Sequence, residues 1–248
     1  MEENVAINDQ LVLVVGYSTT GKSASLRNIR NQNKWIYMNC ESGKRLPFKN
    51  TFNSQVITDP YQVHGFFDEM IANSDSVEGG VVDSITFLMD MMETQYVLGS
   101  SNTMQGWADY QQFFKVLMQE KVACFRKPVI IMAHVKDELD EKNMEIKTSV
   151  PIKGALKNNG VESYFSTVVA AKKVSLKELE SYGSKLLKIT EEEQELGYKH
   201  VFQTRITKKS IGERIRSPMG MFDRSETYID NDCQLLVDRL NEFYGVKS

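Results

Sequence analysis

The segment Gly16-Tyr17-Ser18-Thr19-Thr20-Gly21-Lys22-Ser23 puts two glycines, a lysine and a hydroxyl into one short span. Glycine frees a backbone to wrap closely around phosphate groups. The N–H groups of Thr19 to Ser23 are then expected to point inward at a helix N-terminus, the electropositive end. Lys22 is placed to reach the terminal phosphates of a nucleoside triphosphate, and the Ser23 hydroxyl to coordinate magnesium. The expected ligands are therefore ATP and Mg2+. The binding set comprises Gly16, Tyr17, Ser18, Thr19, Thr20, Gly21, Lys22 and Ser23 and extends to position 24, which is Ala24.

Three further polar residues end apolar runs. Asp83 follows Val81-Val82, where a carboxylate can hold magnesium through water, so Ser23 and Asp83 form the expected metal pair. Glu41 follows Tyr37-Met38-Asn39-Cys40. A carboxylate there can orient or deprotonate an attacking water, though the spacing equally suits a surface glutamate opening a loop. His134 closes Ile130-Ile131-Met132-Ala133 and should face the γ-phosphate region; the alternative is a strand-end histidine with an ordinary hydrogen bond. His64 and His200 show no partner spacing and read as structural.

These residues need elements to position them. Leu11–Val15, Lys34–Asn39, Val81–Ser84, Pro128–Ala133 and Tyr164–Ala171 read as strands, mostly short and apolar. Ser23–Asn31, Tyr61–Ala72, Ile85–Val97 and Trp107–Val122 read as helices. Trp107, Tyr110, Phe113 and Phe114 have the spacing of a core stripe, and Met89–Met92 reads as core filler. Gly99–Gly106 is polar and flexible, and Lys136–Lys153 is a loop or mobile hairpin. A charged helical insertion covers about residues 176–198. His200–Thr207 and Glu213–Arg216 read as two strands joined by a basic turn. Asp232–Tyr244 is a closing helix, capped by Asp230, Asn231 or Asp232 and ended by Gly245. The expected fold is one α/β domain over residues 1–248, a mostly parallel central sheet with helices on both faces and a C-terminal antiparallel hairpin.

Composition excludes several classes. The 248 residues carry a net charge of −3, so affinity for nucleic acid must come from a local patch. Lys199–Arg216 is such a patch, with six basic residues against one acid, or +5. Met1–Gln10 lacks the apolar core of a signal peptide. No apolar run reaches the roughly 20 residues of a membrane span. Cys40, Cys124 and Cys233 are scattered, which fits a reduced cytoplasmic protein without disulfides or zinc.

The order of Gly16–Ser23, Tyr37–Glu41, Val81–Ser84 and Ile130–His134 resembles the RecA-like P-loop ATPase core. More narrowly it resembles the compact, core-only relatives encoded by bacteriophages, which act as single-strand-annealing recombination ATPases. The resemblance spans about Val12 to Pro218. It implies that Glu41 activates water, that Asp83 is the Walker B acid followed by Ser84, and that His134 reports the γ-phosphate to DNA-binding loops. Bacterial RecA usually has glutamine there, whereas histidine is typical of the phage relatives. Gly99–Gly106 falls where the first DNA loop lies, and Lys136–Lys153 where the second lies. That second region is not strongly basic: Lys136, Lys142, Lys147, Lys153 and Lys157 offset Asp137, Glu138, Asp140, Glu141 and Glu145. Thr204–Ser210 resembles a late hairpin whose basic residues reach a neighbour's ATP, which makes Lys208 and Lys209 the candidate trans cations, with Arg205 and Arg214 behind them. No separate oligomerisation segment is expected before the first strand, so assembly would use another surface.

The resemblance implies a DNA-stimulated ATPase acting on single-stranded DNA in recombination or replication. It would work as a homo-oligomeric ring or filament with an inter-subunit site, and with a single-strand-binding or replication protein as possible partner. The alternative is a nucleotide-gated assembly or adaptor module with slow hydrolysis, docking through Leu176–Leu196. A small-molecule P-loop kinase ranks lower, because Tyr164–Pro218 reads as strands and a basic hairpin instead of an arginine-rich lid.

Overall fold

A computed structural model describes residues 7–245; part of the Met1–Gln10 reading lies outside them. Among the described residues, ten strands form an eight-stranded sheet and a separate two-stranded hairpin. They are β1 (Leu11–Gly16), β2 (Trp35–Asn39), β3 (Asn53–Val56), β4 (Gly79–Asp83), β5 (Val129–His134), β6 (Lys136–Asp140), β7 (Glu145–Ser149), β8 (Thr167–Ser175), β9 (Tyr198–Gln203) and β10 (Tyr228–Asp230). The large sheet runs β10-β9-β8-β1-β5-β4-β2-β3. From β8 to β3 all pairings are parallel, and β9 and β10 add an antiparallel edge. The α/β class with a mostly parallel sheet and antiparallel C-terminal strands is the one expected.

Both faces of the sheet are covered, which is why its central strands are apolar at nearly every position. Leu13, Met38, Val82, Ile131 and Val168 pack under α1 (Tyr61–Ala72), α2 (Ile85–Met92) and α3 (Thr103–Val116). Val12, Val14, Val81, Ile130 and Val169 face Leu26, Leu236 and Leu240, the last two on the closing helix Cys233–Tyr244. That helix is capped by Asp232, whose side chain accepts from Gln234 N, and ends at Gly245 in the left-handed region. Tyr110, Phe113 and Phe114 are buried in the first core, as are Met89 and Met92.

Several boundaries differ from the sequence reading. The helix after the phosphate loop is a short 3-10 segment, Ser23–Asn28, not Ser23–Asn31. Ser25 Oγ bonds the Lys22 carbonyl at 2.5 Å and competes with regular helix, and Asn31 turns into the left-handed region. Gly99–Gly106 is not irregular throughout: Asn102 caps α3, so Thr103–Gly106 is already helix. Trp107–Val122 lies within a longer helical run that continues through π-type turns to Phe125. Lys136–Lys153 contains a formed hairpin, β6–β7. The insertion holds two short helices, Leu176–Leu179 and Glu191–Leu196.

The largest correction concerns the basic hairpin. β9 pairs with β8 on one side and β10 on the other, not with Glu213–Arg216. Glu213 and Arg216 make only isolated bridges, to Thr148 and Val168. Arg214 and Arg216 both reach Glu162, which ties this segment to the neighbourhood of β7 and β8. Arg214 therefore does not stand behind Lys208 and Lys209.

Candidate functional site

Parallel strands share one carboxyl-terminal edge, and the sheet order decides which side chains meet there. In register, Gly16 lies opposite His134, and Asn39 opposite Asp83. The strand of His134 sits between the strand of the phosphate loop and that of Asp83. Four residues separated by up to 118 positions in the chain, Gly16, Glu41, Asp83 and His134, thus come together.

The loop itself needs its glycines. A Cβ at Gly16 would lie 2.6 Å from Thr20 Oγ1 and 2.7 Å from the Ala171 carbonyl, and Gly21 adopts φ +93°. Lys22 curls back over the loop. Its Nζ donates to the carbonyls of Gly16 and Tyr17, both at 2.8 Å, and lies 3.5 Å from His134 Nδ1. Burial pulls this ammonium down to about 8, against the pull of Asp83 and Glu41.

His134 joins the two ends of the site. An ammonium only donates, so Nδ1 accepts from Lys22 and Nε2–H donates to Glu41 Oε1 at 2.9 Å. The imidazole also meets Phe87 edge-on, with ring centroids 5.6 Å apart. Glu41 takes further bonds from Lys44 at 3.1 Å and Ser84 at 3.4 Å. The hydrogen bond from His134, helped by Lys44, holds its carboxyl at about 2 despite burial. Glu41 is therefore held in place beside His134 and Ser84, not a loose loop glutamate.

Asp83 is buried, and burial, then the charge of Glu41, raises its carboxyl above the ordinary range. Its Oδ2 accepts from Ser23 Oγ at 2.8 Å and Tyr37 OH at 2.9 Å, while Oδ1 has no protein partner. Adjacent hard oxygens, one of them buried and unpaired, fit magnesium. Ser23 and Asp83 are the residues that would hold it. No cluster of three or more His, Cys, Asp or Glu side chains forms another metal site among the described residues.

A cavity of about 550 Å³ opens over these groups and extends between two walls. Arg27, Lys44 and Arg45 line it, and so do Lys199, His200 and Asn231. His200, which read as structural, bonds the Thr20 carbonyl through Nδ1 at 3.0 Å, and Asn231 donates to the Gly21 carbonyl at 2.9 Å. No spacing in the sequence links either residue to the loop; only the return of β9 and the closing helix brings them there. Tyr37 was also missed, although its alternation inside β2 places it on the same face as the site. His64 is structural, stacked on Phe113. Within one chain, Lys208 and Lys209 do not reach this cavity; they line a separate groove.

A phosphate loop at the carboxyl edge of a parallel sheet, with a buried strand-end aspartate beside its serine, defines a P-loop nucleoside triphosphatase. Residues 8–209 match the AAA domain family, most of the chain, and the protein belongs to that family as a P-loop ATPase domain. Among solved structures it is similar to the RadB recombinase, at 15% identity over 68% of this chain and 76% of that one, TM-score 0.39. It is also similar to a KaiC-like protein from Pyrococcus horikoshii OT3, at 12% identity over 82% and 81% of the two chains, TM-score 0.42. No curated protein matches the sequence. No helix among the described residues is long and apolar enough to cross a membrane.

Proposed function

We propose that the protein is an ATPase that assembles on single-stranded DNA and promotes annealing or strand exchange, with each active site completed by a neighbouring copy. The observation that carries this reading is the chain Lys22–His134–Glu41. It ties the amine for the terminal phosphates to the carboxylate beside them through the last residue of β5, and β6 begins two residues later. A second tie supports the same route: Tyr17 OH, in the phosphate loop, donates to Asp137 of β6, which also accepts from Thr148 of β7 at 2.7 Å.

ATP binding requires Lys22 to exchange its loop carbonyls and His134 for phosphate oxygens. Ser23 and Asp83 would hold magnesium, which would supply neutralisation of phosphate charge. Glu41, ionised at neutral pH, accepts a hydrogen bond from the attacking water and aligns it. His134, released from Lys22, keeps its bond to Glu41 and follows that carboxylate as it shifts toward the water, and its strand carries that change to the β6–β7 hairpin. Lys208 or Lys209 of a neighbour would supply the cation that stabilises the transferring phosphoryl group. The test is ATP turnover and oligonucleotide binding, each measured with and without the other ligand. Turnover indifferent to single strands, together with no strand binding in ATP, would sink the proposal.

One observation favours the adaptor reading, in which slow hydrolysis only times assembly. Glu41 is held by His134, Lys44 and Ser84 at once, so it must give up contacts before acting. Glu41→Gln separates the two: if function in cells survives the loss of turnover, nucleotide binding is what matters.

A further inference from the structure

Away from the phosphate cavity, and sharing no residue with it, lies an open groove of about 740 Å³. Three segments meet in it: Ser175–Tyr182, Arg205–Lys209 and Arg224–Thr227. Of their side chains, Lys177, Arg205, Lys208, Lys209 and Arg224 line it against one lining acid, Glu178, a balance of +4 in a chain whose net charge is −3; Glu180 and Glu226 of the same segments do not line it.

The acid is already engaged. Glu178 accepts from Lys209 at 2.7 Å and from Tyr228 OH at 3.1 Å. Among the described residues, the other four cations have no carboxylate within salt-bridge distance. The groove is built on bonded structure. Ser210 N donates to the Thr207 carbonyl at 3.0 Å, Thr207 N to Ser210 Oγ at 2.9 Å, and Gln203 Nε2 to the same Oγ at 2.7 Å. Lys208 and Lys209 therefore ride on a fixed turn. Arg205 uses one N–H on the Phe222 carbonyl at 2.8 Å and keeps the rest of its fork.

Four unpaired cations gathered in one concavity repel each other, and a polyanion relieves that repulsion. The Ser175, Ser181 and Thr207 hydroxyls add neutral donors for phosphate oxygens. Tyr182 and the exposed Ile206 add apolar wall. Cations beside aromatic and apolar surface suit a strand whose bases are unstacked, whereas a duplex keeps its bases inside.

We propose that this groove binds the phosphate backbone of a single-stranded nucleic acid. The inference rests on the reading of a protein that works on single strands, and it adds a contact outside the loop regions and the β6–β7 hairpin.

The test uses the full chain, a fluorescent oligothymidylate and ATP analogue, with affinity followed between about 50 and 200 mM salt. Leaving aside Lys208 and Lys209, which serve a neighbour's ATP, contacts by Lys177, Arg205 and Arg224 contribute about −2.1 to the slope of log affinity on log salt, at roughly 0.7 per contact on single strands. The double variant Lys177→Ala, Arg224→Ala removes two, so its slope should be shallower than the parent's by about 1.4 and its affinity should fall at least about tenfold. Both residues are exposed and outside the ATP cavity, so ATP turnover without the oligonucleotide and the thermal midpoint should stay as in the parent. Inorganic phosphate should compete only weakly. If the parent binds and the double variant binds equally well with an unchanged slope, the groove is overturned and the single-strand reading stands. Quantitative displacement by inorganic phosphate would make this a small-anion site and overturn the proposal. If the parent binds no single strand in any nucleotide state, both fall.

Discussion

The phosphate cavity and the basic groove hold their charges in opposite ways. In the cavity, Lys22 spends its donors on two carbonyls and His134, and Glu41 is held from three sides. In the groove, Lys177, Lys208 and Arg224 are exposed, without acid partners. A buried charge must be bonded or it is too costly to keep, so the cavity is prearranged and its groups act by exchanging partners. An exposed charge is screened and free, so the groove acts by summed attraction. Single substitutions should therefore be severe in the cavity and graded in the groove.

The largest effect is expected from Lys22→Ala, which removes both the phosphate cation and the anchor of the loop. ATP turnover should fall about a thousandfold. A loss under tenfold would put the decisive cation elsewhere. Next comes Glu41→Gln, which should cut turnover about a hundredfold while an ATP analogue binds within a few-fold of the parent. Parallel loss of binding and turnover would assign Glu41 to structure instead.

Acidity sharpens the comparison further. The Lys22 ammonium lies at about 8 in the free protein, and bound phosphate must raise it. Nucleotide binding should therefore take up protons above pH 8, and affinity should weaken steadily from pH 8 to 10, as read by calorimetry in two buffers. Folding runs the other way. The folded value is below the unfolded 10.5, so the unfolded chain binds more proton between about 8 and 10.5 and this group's penalty is relieved as pH rises through that window. A pH-independent affinity would mean that the amine is not the phosphate ligand. The smallest effect concerns His200→Ala, which removes one bond to the Thr20 carbonyl, about 1 kcal/mol, and should weaken nucleotide affinity about fivefold. No change would leave His200 a bystander on the cavity wall.

Local chemistry made much of this legible in the sequence. The glycines, Lys22 and Ser23 announce a phosphate loop because no other common structure requires that set at that spacing. Apolar runs ending in Asp83 and His134 announce strands that open on one edge. Tyr61–Ala72 was readable to the residue, since its apolar stripe has helical period and nothing competes with it.

Pairing between distant segments was not legible. The alternation around Glu213–Arg216 looked like a strand, yet β10 takes that place beside β9, because the Glu162 side of the molecule captures Arg214 and Arg216. His200 and Asn231 reach the loop only because the edge strands and the closing helix fold back over it. Arg224 joins Lys177 and Lys208 for the same kind of reason. Residue order pointed to a nucleoside triphosphate with Lys22, Ser23 and Asp83 around it, and left Glu41 open between the site and a surface loop. That His134 bridges Lys22 to Glu41, and that scattered cations collect into one groove, follows from how the strands and loops pack. Motif chemistry is local and survives in the order of residues, whereas contacts across the sheet depend on strand order, which no single segment encodes.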